Sequence, residues 1–354
     1  MSRVALFEGE DASPEAVRPV VALLDELDLG IEWVRPPTDA TETDGLALLQ
    51  TSVDVVDSAD CALFGATSGA SAAALFHLRW GRATFANVRP IRYLAGARSP
   101  LANPEGIDLT IVRENLEDLY VMAEGDLDQL AAPAPYSLTM GQPVSNLGPG
   151  RFALKVITEA GSERIIRRAF EIAAGRPGMR RVTCSSKYNM LPATDGLFVE
   201  IGRSVAVDFP GIEFETLLID DLACRLVLDP QRFDVIVLPN LYGDILSDLG
   251  AGLVGGLGMA PSGCYGANYA YFEPAHGTAP DLVGTGTINP TATLLSASMM
   301  LDHLGLSEAA SAVVTAVEDV YRAGAHLTPD QGGTATSVEF CTAVRAALRV
   351  DYRP

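Results

Sequence analysis

The sequence predicts a soluble α/β protein of two domains, and three observations carry this reading. The chain has 354 residues, 48% of them hydrophobic and 20% charged, an ordinary globular composition with enough length for two substantial cores. Short β-rich apolar runs alternate with segments of helical spacing, as in layered α/β folds. No stretch of about 18 uninterrupted apolar residues appears, which argues against a membrane span. The opening MSRVALFEGEDASPEAVRPV also lacks a basic segment leading into an apolar run and a small-residue cleavage site, so no secretory signal is expected.

In chain order, RVALFEG reads as a short buried strand, and SPEAVRPVVALLDEL follows with helix-start chemistry and helical apolar spacing. CALFGA and IDLTIVREN read as further strands. Residues 131–151, AAPAPYSLTMGQPVSNLGPGR, are rich in proline, glycine and polar residues and predict an extended arm or loop. GRFALKVIT is expected as a strand, GSERIIRRAFEIAA as a helix, RRVTCSSK as a strand, ETLLIDDLACRLV as a helix and FDVIVLPN as a strand. TATLLSASMMLDHLG is expected as a helix. Sites in such folds gather at the carboxyl ends of strands.

A net charge of −20 disfavours nucleic acid and anionic membranes as partners, because phosphates call for a clustered cationic surface. An anionic substrate would need arginines gathered locally. Cys61, Cys184, Cys224, Cys264 and Cys341 are odd in number, scattered and free of any CxxC pair. They suit a reducing cytoplasm and suggest neither a disulfide framework nor structural zinc. Only two lysines, Lys155 and Lys187, stand against 23 arginines. Lysine can give up its proton where arginine cannot, so a retained lysine points to proton transfer as readily as to chance.

PNLYGDILSDLGAGLVGG, residues 239–256, sets Asp244 and Asp248 four residues apart. On a helix they share a face one turn apart, where like charges repel mildly. Either the face is simply solvated or something positive holds the pair together. In the same stretch Gly250, Gly252 and Gly255 match a GxGxxG pattern. That pattern carries phosphate-binding mechanism only where it follows a strand and opens a helix. Here it follows DILSDL, already helical, so the glycines are expected at a helix end or a close packing contact.

Three longer segments go beyond generic patterning: LPNLYGDILSDLGAGLVGGLGMAP, YFEPAHGTAPDLVGTGTINPTATLLSASMML and IVRENLEDLY. They resemble the β-decarboxylating dehydrogenases, the family of isocitrate, isopropylmalate, homoisocitrate and tartrate or malate dehydrogenases. The resemblance covers nearly the full length and includes ANVRPIRY at 86–93 and LTPDQGGTATSVEF at 327–340. It implies the isocitrate/isopropylmalate dehydrogenase-like fold, which has two α/β domains and is not Rossmann. A large cofactor-binding domain would come from residues 1–98 and 255–354, and an inserted small domain with the dimer interface from 99–254. The arm, about 131–155, falls where the family builds its intersubunit clasp, which implies a homodimer with shared active sites.

By the same resemblance, Asp244 and Asp248 match ligands of Mg2+ or Mn2+, and Asp220 matches a third ligand from the neighbouring subunit. These are hard oxygen donors, as such ions prefer. Asp221 competes with Asp220, but the family spacing of 24 residues to Asp244 favours Asp220. Arg79, Arg89 and Arg113 match the arginines that grip the carboxylates of a malate core, a task suited to planar forked donors. Lys187 matches the catalytic lysine supplied across the dimer, the expected base for the C2 hydroxyl with help from Asp220 and the metal. Tyr120 matches the catalytic tyrosine, the expected acid after decarboxylation. Lys155 has no matching role and is expected to be structural. A noncatalytic regulatory subunit is the competing class of function, against which the presence of Asp220, Asp244, Asp248, Lys187 and Tyr120 speaks.

Substrate choice in the family is set largely by the helix before Arg79, here SGASAAALFHLRW. Isocitrate-specific relatives place a serine and an asparagine where this chain has Ala73 and Leu75, and Leu75 with Phe76 looks instead like the apolar pair of isopropylmalate enzymes. RENLEDLY, in contrast, has the isocitrate-type pattern. His77, Arg82 and Arg98 offer a further route to a third anionic group, a phosphonate analogue included. Isocitrate or an isocitrate-like analogue is placed ahead of isopropylmalate and of tartrate or malate. EGEDASPE departs from the family's usual GDGIGPE.

In HGTAPDLVGTGTINP, His276, Gly277, Thr278, Ala279, Asp281 and Asn289 match the loop that holds the adenosine half of the cofactor. A carboxylate at Asp281 accepts from a ribose 2′-hydroxyl and repels a 2′-phosphate. The expected outcome is a clear preference for NAD over NADP in kcat/KM measured with both; a preference for NADP overturns this assignment of Asp281.

Overall fold

The computed structural model describes residues 1–37, 47–69 and 71–348. From the amino terminus run β1 (Ser2–Phe7), α1 (Ser13–Asp25), β2 (Ile31–Val34), α2 (Gln50–Asp57), β3 (Cys61–Phe64) and the short α3 (Ala72–Phe76), which passes into a π-helical turn at His77–Gly81. β4 (Ala86–Arg92) and β5 (Asp108–Glu114) follow. β6 (Glu124–Asp126) precedes the arm, which holds only short pieces, β7 (Tyr136–Ser137), β8 (Gln142–Pro143) and β9 (Arg151–Ala153). Next come α4 (Glu159–Gly175), β10 (Arg181–Ser186), α5 (Thr194–Ala206), β11 (Glu213–Leu218), α6 (Ile219–Leu228), β12 (Val235–Leu238) and α7 (Asn240–Leu253). β13 (Pro261–Tyr265), β14 (Ala270–Pro274), α8 (Thr291–His303), α9 (Ser307–Ala323) and α10 (Ser337–Ala347) complete the chain.

Ten strands form one sheet in the order β11-β10-β12-β5-β4-β13-β14-β3-β1-β2. Its two flanks are parallel, and the antiparallel pairings β5 with β4, β4 with β13 and β13 with β14 join them in the middle. Parallel strands are covered on both faces and so read as continuous apolar runs; β3 and β12 are buried at every residue. On one flank Leu6, Val20, Phe272, Met300, Val317 and Phe340 share a core. On the other, Val112, Ile166, Phe170, Val182, Phe198 and Val237 do. Among the described residues no helix is long and apolar enough to cross a membrane. All five cysteines are free thiols, four of them buried.

Two elements differ from the sequence reading. ETLLIDDLACRLV is not one helix: its first four residues end β11, the sheet edge, and helix begins at Ile219. The register explains the switch, because Glu213 and Glu215 lie opposite Arg181 and Thr183, and both pairs are hydrogen bonded. GRFALKVIT is a strand only at Arg151–Ala153, paired with β6, with one further bridge from Val156 to Asp118. The arm lays bare apolar side chains, Leu138 at 91% exposure along with Tyr136 and Met140.

Of the glycines of the misleading pattern, Gly250 and Gly255 sit at close contacts, whereas Gly252 is exposed with open space around it. α7 spans Gly250 and Gly252, and Gly255 lies beyond its end at φ +131°, a conformation that side chains resist. Gly250 faces Ile91. Gly243 lets α7 press on β5: a Cβ there would stand 2.6 Å from Arg113 Cγ and 2.7 Å from Arg113 Cβ. Gly243→Ala is therefore expected to destabilise the protein by about 1–3 kcal/mol from overpacking, against a helix-propensity gain of about 1 kcal/mol. Urea denaturation measures the balance; an unchanged or raised midpoint shows that α7 yields freely.

Candidate active site

Arg113 ends β5 with its side chain only 2% exposed, and α7 supplies its partners. Nε and Nη2 donate to Asn240 Oδ1 at 3.0 and 2.8 Å, and Nη1 donates to Asp244 Oδ1 at 2.5 Å. Arg89, from the middle of β4, donates through Nη1 to Ser247 Oγ at 2.6 Å and to Asp248 Oδ1 at 3.3 Å, and lies 3.5 Å from Asp244. Tyr120 donates its hydroxyl to Asp244 Oδ2 at 2.5 Å, with the Arg113 guanidinium 5.0 Å from its ring centroid. The helical spacing of Asp244 and Asp248 thus turns one acidic face towards two arginines.

The two aspartates feel this differently. Burial raises the Asp244 pKa, but Arg113, the Tyr120 hydrogen bond and Arg89 outweigh it and hold the carboxyl below its usual value. At Asp248 burial prevails, helped by the like charge of Asp244, and the pKa is raised despite Arg89. Burial first, and then Arg89, push Arg113 down to about 10. Burial and the bond to Asp244 raise Tyr120, so its phenol keeps its proton, as a general acid requires.

Arg79 sits in the π-helical turn, buried, 3.9 Å from Glu273 Oε1 and with Nε lacking a hydrogen-bond partner. The charges of Arg79, Arg89 and Arg113 all bear on Asp244 and on Glu273, so the structure gathers the predicted trio. Glu273 is a member to which the sequence reading gave no role at the site. It ends the buried β14 run, and burial raises its pKa. Of the two helix positions before Arg79, Leu75 is half-buried, whereas Ala73 is 1% exposed and turned into the interior; Ala70 of that segment lies outside the described residues. His77 and Arg82 both pair with Asp57 instead of forming an anion site with Arg98.

A second cluster lies at the carboxyl end of β10. Lys187 Nζ donates to Asp220 Oδ1 at 2.6 Å, and that bond lowers the Asp220 pKa. Asp221 is engaged one helical turn on by Arg225 at 2.8 Å, which leaves Asp220 as the carboxylate facing the lysine. Among the described residues, no three acidic, histidine or cysteine side chains of the single chain come together as a metal cage. Asp220 and Lys187 form one cluster, and Tyr120, Asp244, Asp248 and the arginines another. Lys155 is not solitary either: its Nζ lies 2.6 Å from Asp195 and 3.4 Å from Asp118.

The glycine-rich loop after β14 walls a cavity of about 480 Å3 with His276, Gly277, Thr278, Ala279, Leu282 and Asn289 among its lining. That is room for a nucleoside-sized group. Glu15 of α1 accepts from the backbone N–H groups of Gly284 and Gly286 at 2.6 Å, and Ser337 donates to Ile288 O, so the loop is tied at both sides. His276 Nδ1 meets Gly277 O, and its buried Nε2 has no partner within the chain. Asn289 is held internally: its amide donates to Asp330 and Tyr321. Asp281 is exposed in the turn Pro280–Leu282, between two residues that line the cavity. In the departed EGEDASPE segment, Glu10 accepts from Thr67, Ser68 and Ser71, and despite burial these bonds hold it at about 2, pinning the loop that leads into α3.

The chain has relatives in both sequence and structure. The model of the isocitrate/isopropylmalate dehydrogenase family matches residues 3–346. The chain is 41% identical over 356 residues to the isocitrate/homoisocitrate dehydrogenase of Thermus thermophilus, covering 98% of each. It is 39% identical over 353 residues to the 3-isopropylmalate dehydrogenase of Archaeoglobus fulgidus, covering 98% of this chain and 100% of the relative. Its structure is similar to the crystal structure of isocitrate dehydrogenase from Methylococcus capsulatus, with a TM-score of 0.84 and 32% identity over 99% of this chain and 100% of that one. Fold and relatives define an oxidoreductase that oxidatively decarboxylates a hydroxyacid such as isocitrate or isopropylmalate. The chain belongs to the isocitrate/isopropylmalate dehydrogenase family.

Proposed function

We propose that this enzyme carries out the NAD-dependent, divalent-metal-dependent oxidative decarboxylation of a 3-substituted malate, with isocitrate or an isocitrate-like analogue as the favoured substrate. The observation that carries the reading is the buried arginine trio around Asp244, set apart from a Lys187–Asp220 pair. Arginines 79, 89 and 113 would take the carboxylates of the malate core. Isopropylmalate and tartrate or malate are the alternatives, and the half-buried Leu75 beside the site is what speaks for an apolar substituent.

We further read the protein as a homodimer in which each active site joins the two clusters from different subunits, clasped by the exposed apolar arm. The large domain would be 1–98 with 255–354, and the inserted one 99–254. Asp244 and Asp248 of one chain with Asp220 of the other would hold Mg2+ or Mn2+. The donor set fits: all are carboxylate oxygens, the hard donors such ions prefer. His276 Nε2 and the loop cavity fit a nucleoside, with Asp281 set to receive a ribose 2′-hydroxyl. When bound, the cation would offset charge developing at the C2 oxygen, and NAD would accept hydride. Lys187, oriented by Asp220, takes the proton of the C2 hydroxyl. After carbon dioxide leaves, Tyr120 gives its proton to C3, and Asp244, hydrogen bonded to it, keeps the phenol aimed.

Purified protein with Mg2+, NAD and a panel of isocitrate, isopropylmalate, tartrate and other 3-substituted malates tests the reading. NADH formation, fastest with isocitrate, is expected; no NADH from any member, with activation of a partner enzyme instead, favours a regulatory subunit. Lys187→Met is expected to lower kcat by about 10^2 to 10^4 fold, as loss of a general base does, while still binding cofactor. Near-normal kcat removes Lys187 from the mechanism.

A further inference from the structure

Lys155, the other lysine of the chain, lies at the meeting point of the three segments that carry the proposed catalytic groups. Its side chain is 14% exposed, and the two carboxylates it touches, Asp118 and Asp195, are fully buried. Each carboxylate uses its second oxygen to hold a catalytic segment. Asp195 Oδ2 accepts the backbone N–H of Lys187 at 2.7 Å. Asp118 Oδ2 accepts the backbone N–H of Leu241 at 2.9 Å, in the first turn of the helix that bears Asp244 and Asp248. Asp118 also stands two residues before Tyr120 in a positive-φ conformation, φ 68°, that only its surroundings maintain. The ammonium completes the junction 4.3 Å from the ring centroid of Tyr242, two residues before Asp244.

We propose that Lys155 is a positioning residue. One ammonium serves as the shared counter-ion of two buried carboxylates and thereby fixes the Lys187 backbone relative to Tyr120 and to the Asp244–Asp248 helix. A buried carboxylate stripped of its counter-ion reorients or takes up a proton, and the N–H it was holding moves with it. This inference rests on the functional reading above for the words catalytic and turnover, while the junction itself is a matter of geometry.

The test uses the full chain labelled with nitrogen-15 at lysine alone, so that its two lysine amide signals belong to Lys155 and Lys187. In Lys155→Met the one surviving signal reports Lys187 directly. It is expected to shift from its wild-type position, and kcat on the best substrate of the panel to fall about 10- to 100-fold, the scale of an ångström-level misplacement. KM should stay within about threefold, since the arginine trio is untouched. Lys155→Arg, which restores the charge, is expected to recover most of both. If Lys155→Met does not fold, Lys155→Met/Asp118→Asn, with one stranded charge removed, is measured in its place. An unmoved Lys187 signal, or kcat within about twofold of wild type in the folded variant, overturns the proposal. The NMR signal needs no turnover, so a wild-type chain that oxidises no malate overturns the functional reading alone, and the signal still decides whether Lys155 positions Lys187.

Discussion

A guanidinium buried at the end of β5 cannot be left without partners, and the placement of α7 follows from that demand. Arg113 takes Asn240 and Asp244 from the first two turns of the helix. Gly243 between them removes the Cβ that would hold the helix off. Once α7 is seated, Asp248 comes within reach of Arg89 and the Tyr120 hydroxyl finds Asp244. A strand end, a helix start and a tyrosine turn are thus locked by one set of charge-assisted bonds, which are shorter and stronger than neutral ones. The sheet contributes by holding β4 and β5 antiparallel side by side, so that Arg89 and Arg113 rise on the same face, two strands' worth of positive charge under one helix.

The site gathers the positive charge that the molecule as a whole is short of. A chain with a net charge of −20 keeps three arginines within range of one another, answered by Asp244, Asp248 and Glu273. Arg113 loses some of its hold on its proton to burial and to Arg89, while Asp248 gains proton affinity through burial and Asp244. Burial is the first cause of both shifts, and the hydrogen bonds between the arginines and the aspartates hold the groups in place. Fixed charges of this kind need no reorganisation when substrate charge arrives, which is where an enzyme draws most of its electrostatic advantage.

Much of this was legible in the sequence, and the parts that were not share a cause. The i, i+4 spacing of Asp244 and Asp248 is local, so their common face could be read directly, as could the buried strands 61–64 and 235–238. The switch from β11 to α6 within ETLLIDDLACRLV could not, because what makes Glu213–Leu218 a strand is Arg181 and Thr183 across the sheet edge. Lys155 was set aside for the same reason: its partners Asp118 and Asp195 lie far along the chain on either side, and no periodicity links them. Glu273 was visible as a carboxylate in an apolar run, yet its nearness to Arg79 depends on β14 and the π-helical turn folding against each other. Ala73, read as a substrate contact, shows the converse, a position whose face within a short helix only packing decides.

Replacing nearly every lysine by arginine leaves a surface almost devoid of primary amines. Both side-chain amines the protein possesses are committed, Lys155 among buried carboxylates and Lys187 against Asp220. Reagents and metabolites that attack amines, such as simple aldehydes and acyl donors, therefore find little on the folded chain beyond its amino terminus and the partly exposed ammonium of Lys187. Chemical damage of that kind, diffuse in most proteins, is here concentrated on the terminal amine and Lys187.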